Sequence, residues 1–113
     1  MLTKKNKVIT KKVKLLKSPW THAIGLMFRR TLENESYIFA FRKPRVDAVH
    51  MAFMRFSIDI VWLDEKKRVS DLYENAKPWQ KLIFFKNPAK YMIEMPSGLI
   101  KKHKITIGNH LDF

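Results

Sequence analysis

The sequence predicts a β-rich α+β fold: a compact, partly closed antiparallel barrel or sandwich of about six or seven short strands, with one N-terminal helix and a short second helical turn. Three observations predict it. Apolar runs of strand length recur at residues 37–41, 58–63 and 91–95, set off by charged or turn-forming clusters such as 64–68 and Pro96-Ser97-Gly98. A helix start stands at Ser18-Pro19, followed by Trp20, Ala23, Ile24 and Met27 at helical spacing. No repeat or low-complexity linker divides the 113 residues, so one globular domain is expected over 7–113, preceded by a flexible basic segment over 1–6.

The elements follow in order. Residues 7–16 alternate, with Ile9, Val13 and Leu15 against Thr10, Lys12 and Lys14, as a half-buried strand does. In the helix that follows, Ser18 is the N-cap and Pro19 the first helical residue, where its missing N–H costs nothing. Arg29-Arg30 closes that helix at the end where positive charge is favoured. Residues 37–41 are apolar on both faces, which marks a central strand, and Arg42-Lys43-Pro44-Arg45 is expected to break it. Residues 48–54 and 58–63 read as two further strands, and a charged hairpin turn at 64–68 leads into a strand over 69–73. Two prolines make 77–90 an irregular connection. A strand over 91–95, a helical turn over 99–103 and an extended piece over 106–113 complete the chain.

Charge is placed unevenly. Of 23 Lys and Arg, those before the first carboxylate at Glu33 are Lys4, Lys5, Lys7, Lys11, Lys12, Lys14, Lys17, Arg29 and Arg30, with nothing to offset them, and the whole chain carries +13. Such asymmetry points to an anionic partner, nucleic acid or another polyanion, and these lysines with Arg30 are the candidate anion-binding residues. The plain alternative is a solvated lysine face serving solubility. Without cysteine, disulfides, thiolate catalysis and Cys-ligated metal are excluded. Three glycines cannot build a P-loop or a dinucleotide fingerprint, so no nucleotide cofactor is expected. The longest stretch free of charge, residues 18–28, is too short to cross a membrane as a helix, and no secretory signal pattern is present; a cytoplasmic protein is expected.

Three blocks, Gly25-Leu26-Met27-Phe28-Arg29, then 49–64 with Phe56-Ser57-Ile58-Asp59, then Tyr91-Met92-Ile93-Glu94-Met95-Pro96-Ser97-Gly98 with Gly108-Asn109 beyond, together resemble the family called domain of unknown function 192. The resemblance spans roughly residues 8–113 and implies a compact β-rich domain with a short helix and no assigned activity. Ser57 stands where that family usually has proline, His22 where arginine is common, and Asn109 where aspartate is usual.

Within these blocks Asp59 shares a strand face with Val61 and Leu63, and Glu94 with Met92. A carboxylate on an apolar face must find donors or be pushed toward its neutral form, and catalysts use the second outcome. If Asp59 and Glu94 met in space with Arg29, they would frame a small-molecule pocket or an acid–base pair; otherwise each pins a turn or helix to the sheet, Arg29 with Asp59 being the favoured pair. His22, His50, His103 and His110 show no ligand spacing, so no metal is expected, and the methionines read as core filler. Residues 77–86 interleave lysines with aromatics, and Trp79 is a candidate for stacking on a base, against core capping as the plainer role. The sequence thus favours a small binding module for an anionic ligand or partner over a catalyst. Nucleic-acid binding through the lysine-rich first strand and a pocket or enzyme around Arg29, Asp59 and Glu94 are the alternatives.

Overall fold

A computed structural model describes residues 1–16, 34–45, 48–49, 56–78 and 83–113. Its strands are β1 (Leu2–Lys4), β2 (Lys7–Thr10), β3 (Lys12–Leu16), β4 (Glu35–Arg45), β5 (Ala48–Val49), β6 (Ile58–Leu63), β7 (Val69–Ala76), β8 (Ile83–Phe84) and β9 (Ala89–Pro96), followed by one short helix, α1 (Leu99–Lys102). Five strands form an open sheet in the order β3-β4-β9-β6-β7, and the pairs β1-β2 and β5-β8 form separate ribbons. The fold is therefore β-rich as expected, but among the described strands it is not a barrel, because β3 and β7 stand at opposite edges. Nor is it wholly antiparallel: β3 runs parallel to β4. A parallel neighbour needs a connection of about a dozen residues or more, and the stretch between β3 and β4 is long enough to supply one. The helix expected from Ser18 lies outside the described residues.

The sheet carries apolar residues on both faces. In antiparallel pairs, residues directly opposite point the same way. Tyr37 and Phe39 of β4, Met92 of β9, and Ile60 and Trp62 of β6 line one face, with Ile83 and Phe85 packed over them. Trp62 stacks on Phe85 at 5.0 Å between ring centroids. Ile38, Ile93, Val61, Leu63 and Met95 line the other face, which is covered by Leu2, Ile9, Ile100, Ile105 and Leu111. All six residues of β6 are buried, as suits a strand sandwiched on both sides.

The N-terminal segment departs from expectation. Leu2–Lys4 is a strand and Leu2 is fully buried, so residues 2–4 are not loose. Lys5 and Asn6, at φ 48° and 67°, make the left-handed two-residue turn that joins β1 to β2. The single strand expected over 7–16 is two strands bent at Lys11, because the chain leaves its pairing with β1 and joins β4. At this corner Ile9 and Thr10 are both buried in succession, and Thr10 Oγ1 meets Ser36 Oγ of β4 at 2.6 Å. Two other boundaries shift. β4 runs through Arg45, past the expected break, with a register irregularity between Ala40 and Arg45. The connection over 77–90 contains β8 and the start of β9.

Candidate functional site

The two candidate carboxylates are separated by the sheet. Asp59 lies opposite Met95 and Glu94 lies opposite Ile60, so the side chains leave on opposite faces. The acid–base pair or shared pocket is thereby corrected: consecutive residues of β6 alternate, and the register sends Asp59 to the Leu2–Ile100 side and Glu94 to the Tyr37–Trp62 side.

Asp59 is fully buried and its carboxylate is occupied by backbone. Oδ1 accepts the Asn75 N–H at 2.8 Å; Oδ2 accepts the N–H groups of Gly98 at 3.0 Å and Ile100 at 2.9 Å. One carboxylate thus ties the end of β7 and the start of α1 to the middle of the sheet. This is a positioning role met by backbone donors. Arg29, its expected partner, lies outside the described residues, as do Lys17, Arg30 and Trp79. Glu94 is 2 % exposed, between Tyr37 of β4 and Ile60 of β6. On that face the Trp62 indole N–H is buried without an acceptor among the described residues.

The N-terminal lysines do not form one continuous flank. Lys12 and Lys14 lie on edge strand β3, and the Lys14 ammonium stands 5.8 Å from the centre of the Tyr37 ring. Lys4, Lys5 and Asn6 line an open groove of about 290 Å³ with His110 and Asp112, a mixed-charge wall. Lys4 also stands with Lys7 in a second group. The Lys4 Nζ donates to the carbonyls of His103 and Lys104, each at 2.9 Å, and so clamps the β1–β2 ribbon onto the turn after α1. That clamp brings Lys4 and Lys7 beside the run Lys101-Lys102-His103-Lys104. Lys7, Lys101, Lys102 and Lys104 are exposed, while Lys4 and His103 are half-buried. Burial holds the His103 imidazole below its ordinary value of 6.5, and Lys102, Lys7 and Lys4 push it further the same way. The chain order conceals this patch. Residues 101–104 are visibly basic, but no local pattern places them against residues some hundred positions away.

Of the four histidines, His103 and His110 lie among the described residues, and no group of three His, Asp or Glu side chains there gathers as metal ligands would. Met92 and Met95 are core residues on opposite faces. No helix among the described residues is long and apolar enough to cross a membrane.

Gly108 and Asn109 have a structural task. Gly108 takes φ 91° and donates its N–H to the Val69 carbonyl at 2.8 Å, while the Val69 N–H donates to Asn109 O at 2.8 Å. Asn109 Oδ1 accepts the Thr106 N–H at 2.8 Å. A carboxamide oxygen meets that need as a carboxylate would, so the turn requires an acceptor and not a charge.

Fold and site define a small β-rich protein whose paired basic segments present a lysine patch and whose two motif carboxylates sit on opposite faces of the sheet. The chain belongs to the DUF192 family, described as an uncharacterized ACR, which it matches over residues 1–113. It is 38% identical over 94 residues to a UPF0127 protein of Pyrococcus furiosus, covering 80% of this chain and 76% of that one. A UPF0127 protein of Thermococcus sibiricus is 37% identical over 113 residues, covering 96% of this chain and 70% of the other. A crystal structure of a protein of unknown function from Novosphingobium aromaticivorans superimposes with a TM-score of 0.82 at 25% identity, over 89% of this chain and 74% of that one.

Proposed function

We propose that this protein is a binding module for a phosphate-bearing anionic ligand, held on the patch formed by Lys7, Lys102, His103 and Lys104 and organised by Lys4. The observation that carries the reading is the Lys4 clamp, which joins two lysine runs distant in sequence into one surface. On the ribbon and on residues 99–113 the one carboxylate is Asp112, and it stands 3.8 Å from the His110 Nδ1. Among the described residues Lys7, Lys102 and Lys104 are exposed, so their charge is offered to solvent. Lysines act there as point charges, which attract phosphates without reading a sequence.

The test is an anisotropy titration with a labelled oligouridylate of about a dozen nucleotides at several salt concentrations. If about four phosphates are contacted, log K falls with log salt at a slope of about −3. Binding that is absent, or unaffected by salt, contradicts the reading.

A further inference from the structure

We propose that an anion docking on this patch draws a proton onto His103, so that ligand binding and protonation of this imidazole are linked. The inference rests on the anion-binding reading above and names how that site is regulated. Its basis is geometric. The His103 carbonyl is fastened to Lys4 Nζ at 2.9 Å, and its backbone N–H to the Leu99 carbonyl at 3.0 Å, so the residue is fixed at the end of α1. The charged groups on the elements around it are Lys4, Lys5 and Lys7 from the ribbon, Lys101, Lys102 and Lys104 from its own segment, and His110 and Asp112 from the closing segment. Asp112 stands 3.8 Å from the His110 Nδ1 and lines the groove that Lys4 and Lys5 share. At the other end of α1, Asp59 is engaged by the Gly98 and Ile100 N–H groups.

In the free protein, burial and the ammonium groups of Lys102, Lys7 and Lys4 therefore favour the neutral imidazole. A phosphate seated among those lysines cancels their repulsion and adds an attraction for the imidazolium. His103 then takes a proton from solvent and supplies one more positive charge to the anion. Linkage requires the converse as well: acidification must tighten binding.

The experiment measures oligouridylate affinity between about pH 8 and pH 6 for the full chain, for His103→Gln and for His110→Gln. The proposal expects the parent affinity to rise by about three- to ten-fold as the pH falls, the limit for one linked proton being ten-fold per pH unit. The same rise should persist in His110→Gln and vanish in His103→Gln. A second readout uses the unaltered protein: the midpoint of the His103 imidazole NMR titration should move upward on saturation with the oligonucleotide. An unmoved midpoint, or an equal pH dependence in His103→Gln, overturns the proposal while leaving anion binding in place. Absence of binding at every pH overturns both.

Discussion

Asp59 Oδ2 accepts the backbone N–H of Gly98 at 3.0 Å, across a separation of 39 residues. The aspartate of one family block thus holds the glycine of another. Gly98 takes φ 96°, and the turn it makes presents the Ile100 N–H to the same oxygen at 2.9 Å. The two blocks are one structural device at the junction of β6, β7 and α1.

Replacing Asp59 with alanine strands three backbone donors, one of them fully buried. The loss should be about 3–5 kcal/mol, measured by urea unfolding. Asp59→Asn, which keeps one acceptor oxygen, should lose less. A loss below about 1 kcal/mol in Asp59→Ala would contradict the assigned role.

Gly98→Ala isolates the backbone term, because among the described residues no atom beyond its own chain neighbours lies within 4 Å of where its Cβ would stand. The left-handed conformation alone should cost about 1 kcal/mol, and Gly98→Asn should cost less, since asparagine tolerates that region better. Thermal unfolding of the two variants side by side gives the order.

Lys4→Met keeps most of the side chain's apolar stem and removes its two bonds to the His103 and Lys104 carbonyls. The expected loss is about 1–2 kcal/mol, with the Thr3 amide, bonded to the Asp112 carbonyl at 2.9 Å, exchanging faster with solvent deuterium. Unchanged exchange at Thr3 would show that the clamp does not hold the ribbon.

Asp64 supplies a pH test. Burial tends to raise its carboxyl pKa, but the N–H groups of Arg68 and Lys66 and the Arg68 guanidinium together outweigh this and hold it below the ordinary value of 3.8. A lowered folded value means that its stabilisation is fully present above 3.8 and fades as the pH falls through the folded value. Asp64→Asn should therefore melt below the parent near neutral pH, and the difference should shrink at about pH 2.5.

Much of the fold was legible in local pattern. The run at Ile58–Leu63 matched its strand at both ends, the two-sided apolar run at 37–41 lies in a central strand, and the helical turn after Gly98 formed as expected. What failed depended on distant partners. Residues 1–6 looked loose because Lys5-Asn6 is a weaker turn signal than Asn-Gly, and nothing local shows that Leu2 will be buried against Ile9 and Leu111. The faces of Asp59 and Glu94 were each read correctly within their own strands. Their relation was not, because it depends on the β6–β9 register, in which Asp59 opposes Met95. The lysine patch was half visible: its charges stand in the sequence, while the Lys4 clamp that gathers them does not.

Charge reversal on the two sides of the patch tests its unity most directly. Lys7→Glu and Lys102→Glu, each and together, are to be assayed for oligouridylate affinity and its salt slope, with folding checked by circular dichroism. Each single change should weaken binding and make the slope about 0.7 less steep, with the double change abolishing binding. If Lys102→Glu binds as the parent does while Lys7→Glu does not, the two lysine runs do not act as one surface.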